Sequence, residues 1–179
     1  MRAQDLRFKD GKFKIVQFTD LHYKLGNPAS KQATDCMYEV VKAENPDLIV
    51  LTGDVIYAKP GDACLQQILN VLTDLKRPFC YLLGNHDPEQ GIAVGKLYDQ
   101  AAQNSFCVQP KRDGNVLDYV VPIKSGDGAK TAAVLYCMDT HAYCKMEDVG
   151  LYQWLSFDQI GRYRDWSAAF TKQNGGKPL

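Results

Sequence analysis

Three short apolar segments, each followed at once by polar residues, constrain the fold of this chain more than any other feature. The segments are residues 13–18, 48–51 and 79–83, and none has the spacing of an amphipathic helix. Short apolar runs without helical periodicity are typical of strands buried in a covered parallel sheet. In open α/β sheets, ligands bind beyond the carboxyl ends of the strands. We therefore predict that three strand ends converge on one crevice.

Amphipathic segments separate these predicted strands. One helix is predicted to be capped by Ser30 and to end near Glu44, and a second is predicted to begin after Pro60. Strands that alternate with helices favour right-handed crossovers and a largely parallel sheet.

The second half of the chain has a different pattern. Segments 116–121 and 131–137 are predicted strands, and the glycine-containing turn 124–128 between them is typical of a hairpin. This antiparallel pair would begin a second sheet. Ser156 and Gln159 have the spacing of a capping box, which predicts the start of another helix.

The charge balance argues against a broad surface for nucleic acid or membrane. The 179 residues contain 21 Lys plus Arg and 21 Asp plus Glu, so the formal net charge is zero. No basic face is implied, and no apolar run is long enough to span a bilayer. We expect no nucleic-acid and no membrane partner. The sequence does not decide the cellular compartment. The protein is expected in the periplasm or outside the cell if a signal peptide has been removed, and in the cytoplasm otherwise.

The residues that follow the three strands are of the types that bind metal ions. Asp20 and His22 follow the first strand, Asp54 follows the second, and Asn85 follows the third. Oxygen and imidazole ligands without thiolate suit manganese, iron or zinc. Two-metal sites commonly share a carboxylate between ions about 3.5–4 Å apart. Asp54, at the central strand end, is the predicted bridge.

Two further polar residues come directly after Asn85. His86 cannot easily share a metal with its neighbour, so we predict that it faces the substrate as a proton donor or as a cation against phosphate oxygens. Asp87 is predicted to hold this imidazole in one orientation and to raise its pKa. A single Asp or His of this kind is usually a solvated loop residue, but three ordered motifs at three strand ends favour a catalytic site.

Segments 20–22, 53–54 and 84–87 together resemble the motifs of the calcineurin-like metallophosphoesterase family. The resemblance covers the N-terminal part of that family's catalytic domain. It implies an α/β fold in which a two-sheet mixed β sandwich is flanked by helices, with the C-terminal part missing. It also implies a metal-bridging hydroxide that attacks phosphorus in line, and two metal ions held by Asp20, His22, Asp54 and Asn85.

The chain also resembles the purple-acid-phosphatase-like branch of the family in segments 157–160 and 175–179. Tyr57 stands three residues after Asp54, where purple acid phosphatases place a tyrosinate ligand to iron. Those enzymes, however, have no histidine at the position of His22. We therefore expect His22 to bind metal and Tyr57 to support the site without binding it.

The ligand set is incomplete by the standard of this resemblance, which implies three further histidines from the C-terminal half. The chain has 3 His in total, and His141 matches no family motif. His141 is therefore expected to be a rim or loop residue. We interpret residues 1–179 as a single catalytic domain truncated at its C-terminus, and an unpaired sheet edge would then invite association.

These patterns predict a metal-dependent phosphoesterase that hydrolyses a small phosphate mono- or diester. The alternative is a catalytically silent metal- or phosphate-binding module, or an inactive fragment. A nuclease is disfavoured by the neutral charge, because binding to backbone phosphates requires a basic groove. The sequence does not select the substrate, which fold analogy cannot supply.

Overall fold

The chain folds into two β-sheets with helices between and beside their strands. The computed structural model describes residues 5–179. In chain order the elements are β1 (Ile15–Phe18), α1 (Pro28–Glu44), β2 (Leu48–Thr52), α2 (Gly61–Leu75), β3 (Phe79–Leu82), a short 3₁₀ helix (Asp87–Gln90), α3 (Val94–Ala102), β4 (Tyr119–Lys124), β5 (Thr131–Cys137) and α4 (Phe157–Gln173).

The first sheet is parallel and has β2 at its centre. Its strand order is β1-β2-β3, as the sequence pattern predicts. Ile15 pairs with Leu48, and Ile49 pairs with Phe79. Since all three strands run the same way, the segments that follow them emerge at one edge of the sheet, and the segment after β2 lies between the other two.

Helix α2 buries one side in the core that it shares with β2 and β3. Its buried positions recur with the three- and four-residue spacing of a helix face. They are Gly61, Cys64, Leu65, Ile68, Leu69 and Leu72. This helix therefore covers hydrophobic surface that the parallel strands would otherwise expose.

The second sheet is the predicted antiparallel hairpin. Tyr119 pairs with Cys137, and the pairing continues to Lys124 with an irregularity at that end. Strand β4 begins three residues later than predicted, at Tyr119. Val116 belongs instead to a turn, in which its backbone N–H donates to the carbonyl of Asp113 at 2.9 Å. Within residues 5–179, β5 has β4 as its sole strand neighbour. Association through this edge stays a prediction.

The two sheets share one core. The buried Tyr119 hydroxyl donates a hydrogen bond of 2.9 Å to the carbonyl of Tyr81, which ties β4 to β3. The ring of Tyr98 packs edge-on against Tyr119 at 5.9 Å between centroids. The fold class is confirmed as mixed α/β, with parallel and antiparallel sheets flanked by helices. None of the helices formed by residues 5–179 combines the length and apolar character that crossing a membrane requires.

The helix starts give one correction and one confirmation. The prediction that Ser30 caps α1 was wrong, because Asn27 accepts from Ala29 N at 2.8 Å and α1 begins at Pro28. The buried Ser30 hydroxyl instead accepts from Lys24 N at 2.8 Å. Helix α4 begins with the predicted capping box, whose two side chains are Ser156 and Gln159.

Two glycines let the ends of β2 and β3 approach more closely than side chains would permit. A Cβ on Gly53 would lie 2.6 Å from the Cα of Gly84, and the φ angle of Gly53 is +101°. A Cβ on Gly84 would overlap the backbone nitrogen and the Oδ1 of Asp54. Residues with side chains cannot occupy such positions without a backbone shift.

We expect Gly84→Ala to lower the free energy of unfolding by about 1–3 kcal/mol, because the added methyl group must push Asp54 away. Gly161→Ala is the matched control, since nothing lies within 4 Å of the position of its added Cβ. In a helix this control should stabilise the protein by about 0.5–1 kcal/mol. Urea unfolding of both variants measures the difference, and equal stabilities would contradict the close approach.

Candidate metal centre

A ladder of backbone hydrogen bonds holds the loop after β1 against the segment after β2. Asp20 N donates to Gly53 O at 3.1 Å, and His22 N donates to Asp54 O at 2.9 Å. Further along, Tyr57 N donates to the carbonyl of Tyr23 at 2.9 Å. The backbone, rather than side-chain contacts, therefore sets where the two predicted ligands of the first loop lie relative to Asp54.

Three of the predicted metal ligands have left-handed backbone conformations. The φ angles are 54° for Asp20, 44° for His22 and 51° for Asp54. Such conformations are uncommon outside glycine, cost roughly 1–3 kcal/mol each, and cluster at functional sites. Asp20 and His22 lie in this turned backbone after β1, and their side chains approach each other and Asp54. His22 Nε2 lies 3.9 Å from Asp20 Oδ1 and 3.5 Å from Asp54 Oδ2.

The Nε2 atom of His22 is buried and, among residues 5–179, has no hydrogen-bond partner. Buried polar atoms without a partner are rare and call for an explanation. One ring nitrogen each from His22 and His86 and one carboxylate oxygen of Asp54 lie within 4.8 Å of one another. A cation bound among these atoms would satisfy His22 and would offset the charge of the nearby carboxylates. The donor set therefore fits a metal ion.

Asp54 lies at the end of the central strand, and its side chain is 13% exposed. Its Oδ1 accepts a hydrogen bond of 2.8 Å from the backbone N–H of His86. This bond orients the carboxylate and leaves Oδ2 facing His22. Asp54 thus lies between the segments that follow β1 and β3, and its predicted bridging role stays a prediction.

Asn85 comes to the same place from the end of β3. A cavity of about 290 Å³ is lined by residues that follow all three strands, including Asp20, Asp54 and Asn85. The Nδ2 of Asn85 donates to the hydroxyl of Tyr143 at 3.2 Å, so the amide oxygen remains for a cation. The structure thus brings together the four residues predicted to bind metal, and their binding of metal stays a prediction.

The structure corrects the role predicted for Asp87. This carboxylate is fully buried and does not hold the ring of His86. It accepts four backbone N–H groups at 2.7–3.1 Å, from Gly84, Asp54, Val55 and Ile56. Burial raises the pKa of Asp87 to about 6, while the hydrogen bonds from the backbone oppose this rise. Asp87 therefore braces the turns after β2 and β3.

Glu89 takes the role of orienting the imidazole that was predicted for Asp87, while the charge of Asp87 remains a smaller contributor to the raised pKa of His86, after Glu89 and Asp54. Its Oε2 lies 2.8 Å from the Nδ1 of His86, and this hydrogen bond raises the pKa of the imidazole. Its other oxygen accepts from the Tyr143 hydroxyl at 2.7 Å. Glu89 stands three residues after His86 in a 3₁₀ helix, a spacing that could have identified it. Tyr143 comes 58 positions after Asn85, and no local sequence signal points to it.

Tyr57 packs on the two imidazoles. Its ring stacks on His22 with centroids 4.9 Å apart and meets the ring of His86 edge-on at 4.9 Å. Lys24 Nζ lies 4.8 Å from the centre of the same ring. This packing restricts the orientation of His22, which is a supporting role of the kind expected for Tyr57.

His141 lies at the rim of the cavity. Its Nε2 is 3.0 Å from Gln159 Oε1, and its Nδ1 is 3.3 Å from Asp139 Oδ2. Both ring nitrogens therefore contact protein oxygens, and His141 lies in the loop after β5, as expected. Gln159 also donates to buried Asp118 at 2.8 Å, so helix α4 anchors this rim to the second sheet.

Family comparison decides the identity of this arrangement. A profile of the calcineurin-like phosphoesterase family matches residues 13–174, a range that includes all three motifs. The chain belongs to the calcineurin-like phosphoesterase family. The family assignment agrees with the sheet topology and with the convergence of the three motifs at one edge of the parallel sheet.

Among curated proteins, this chain is similar to two from Arabidopsis thaliana. Probable inactive purple acid phosphatase 14 is 28% identical over 196 residues, which cover 92% of this chain and 49% of that protein. Probable inactive purple acid phosphatase 29 is 27% identical over 206 residues, which cover 99% of this chain and 53% of that protein.

Phosphatase DCR2 of Saccharomyces cerevisiae is 28% identical over 201 residues, which cover 94% of this chain and 34% of that protein. The chain thus spans about half, or less, of the length of these relatives.

For the phosphoesterase fold, we expect Asp87→Asn to lower the free energy of unfolding by about 3 kcal/mol. The amide would present N–H groups to backbone donors, and each buried unsatisfied donor costs about 1–3 kcal/mol. Asp10→Asn is the matched control, because Asp10 is exposed and has a positive φ angle that asparagine also adopts. Denaturant unfolding measures both variants, and a change below about 1 kcal/mol in Asp87→Asn would refute the bracing role.

Proposed function

We propose that this chain forms the metal-binding core of a metal-dependent phosphoesterase that hydrolyses a small phosphate mono- or diester. The observation that carries the proposal is the buried, unpartnered Nε2 of His22 beside the carboxylates of Asp20 and Asp54. Membership of the calcineurin-like phosphoesterase family supports the same reaction class.

In the proposed centre, Asp20, His22 and Asp54 would hold one ion, and Asp54 and Asn85 would hold a second. Carboxylate, amide and imidazole donors suit manganese, iron or zinc, and they do not select one of these. When bound, such ions act as Lewis acids toward the phosphoryl group and bring water and substrate together. The chain itself contributes a preformed donor arrangement, because the backbone ladder and the Asp87 brace set the donor positions.

His86 is the proposed proton donor to the leaving oxygen of the substrate. Glu89 holds one ring nitrogen and raises the pKa of the imidazole, so a larger fraction of His86 carries the proton near neutral pH. A protonated imidazole also stabilises negative charge that develops on the phosphoryl oxygens. Tyr57 limits the rotation of the ring by edge-on contact at 4.9 Å.

The competing function is a catalytically silent metal-binding module, and two findings favour it. His86 lies close enough to His22 and Asp54 to act as a third donor to a single ion. An imidazole bound to metal could not protonate a leaving group. Two of the relatives are themselves named probable inactive phosphatases.

Metal titration of the His86→Ala variant separates these two functions. As a proton donor, His86 contributes little to metal binding, so the affinity for Mn²⁺ or Zn²⁺ should change less than about twofold. As a third ligand, its loss should weaken binding by about tenfold or more. Isothermal titration calorimetry measures the affinity. His22→Ala should abolish tight binding under either function, and Asp35→Asn, which changes an exposed carboxylate on α1, should leave it unchanged.

Turnover of a nitrophenyl phosphate ester by the full-length protein with added Mn²⁺ tests the phosphoesterase proposal directly. Asp54→Asn should lower kcat by at least about 100-fold, because the amide removes the charge that positions the ions. Asp35→Asn again serves as the control. A protein that binds metal but shows no turnover with Mn²⁺, Fe²⁺ or Zn²⁺ would contradict the proposal and favour the silent module.

A further inference from the structure

Two tyrosines lie beside the candidate metal centre: Tyr152 lines the cavity, and Tyr143 contacts the side chain of Asn85. The segment between β5 and α4 folds back on itself, and Cys144 N donates to Leu151 O at 3.0 Å. Tyr143 and Tyr152 face each other across this fold, and their rings stack with centroids 5.9 Å apart and an interplanar angle of 25°. Tyr152 lines the cavity that also contains Asp20, Asp54 and Asn85.

The polar end of this tyrosine pair is anchored to the site. The Tyr143 hydroxyl accepts from Asn85 Nδ2 at 3.2 Å and donates to Glu89 at 2.7 Å. These two bonds hold the ring at a defined place beside the predicted ligand Asn85. A ring held in this way loses little conformational entropy when a ligand packs against it.

The ring surfaces are nevertheless open to solvent. Tyr143 is 41% exposed and Tyr152 is 60% exposed. The third aromatic ring at the site, Tyr57, differs because one side stacks on His22 and Lys24 lies over the ring. Tyr57 is itself 37% exposed. Tyr152 is the most exposed of the three rings and lines the cavity, so the tyrosine pair offers the larger aromatic surface to a ligand.

We propose that the Tyr143–Tyr152 pair binds the alcohol portion of the substrate, and that the site favours phosphoesters carrying a flat aromatic group over those of small alkyl alcohols. This inference rests on the proposed phosphoesterase function. Offset stacking of aromatic rings is worth about three- to tenfold in affinity beyond simple burial of apolar area. The aromatic group is either an aryl ring attached to the phosphate oxygen or the base of a nucleoside phosphate.

Phosphonates test the inference because they bind as phosphate monoesters do and are not hydrolysed. Calorimetry with the Mn²⁺-loaded protein compares methylphosphonate, phenylphosphonate and a nucleoside 5′-phosphonate. We expect at least one aromatic ligand to bind three- to tenfold more tightly than methylphosphonate. Tighter binding of phenylphosphonate would indicate an aryl ester as the substrate, and tighter binding of the nucleoside 5′-phosphonate would indicate a nucleotide.

Tyr152→Ala should remove this preference and leave the affinity for methylphosphonate within about twofold of the unsubstituted protein. The matched control is Tyr163→Ala, an exposed ring on α4 that packs on Tyr136 away from the cavity lining, and it should keep the preference. Loss of the preference in this control would overturn the assignment to the tyrosine pair.

The outcomes separate the inference from the function on which it rests. Equal affinities for all three phosphonates would overturn the inference while supporting a phosphate-binding centre. A protein that binds Mn²⁺ but none of the phosphonates and no inorganic phosphate would overturn the proposed function, and the inference with it.

Discussion

The carboxylate of Asp87 is the interaction on which the rest of the candidate site depends. It is fully buried and accepts backbone N–H groups from the turn after β3 and from the turn after β2. A buried charge is tolerable only when hydrogen bonds replace its hydration, and four amide donors do so here. Because the donors come from both turns, the carboxylate links the segments that follow β2 and β3 beyond the point where the strand pairing ends. Asp54 and Asn85 are placed as a consequence.

Backbone geometry is the second constraint on the centre. Gly53 and Gly84 permit a close approach of the two turns, and Asp20, His22 and Asp54 adopt positive φ angles. Such conformations persist when the surrounding hydrogen bonds over-determine them. The energy of this strained arrangement is offset by the packed core that β1, β2 and β3 share with the helices. A rigid donor arrangement binds a cation with little reorganisation, which is the property that a metal-dependent catalyst needs.

The chain carries the signature motifs of its family, yet it spans about half of its curated relatives or less. Its own donors form one compact group in which His86 stands beside His22 and Asp54. His86 can therefore serve as a proton donor in a two-metal phosphoesterase or as a metal ligand in a silent module. The difference between the two functions thus rests on what the imidazole nitrogen contacts, not on the fold.

Sequence reasoning recovered the parallel strand order, the hairpin and the capping box of α4, because periodicity and capping act over a few neighbouring residues. It placed Asp20, His22, Asp54 and Asn85 at one edge, since parallel strands necessarily end together. It failed for Asp87, whose partners are backbone amides contributed by two turns, and for Ser30, whose hydroxyl bonds to the preceding loop. Tyr143 could not be predicted, because this residue contacts Asn85 from a segment 58 positions away.

The sequence by itself determined which chemical groups gather at the strand ends. The tertiary structure alone decided that Asp87 binds backbone amides of two turns instead of His86, and that Tyr143 and Tyr152 lie beside the site, because contacts between distant segments depend on how the sheets and loops pack.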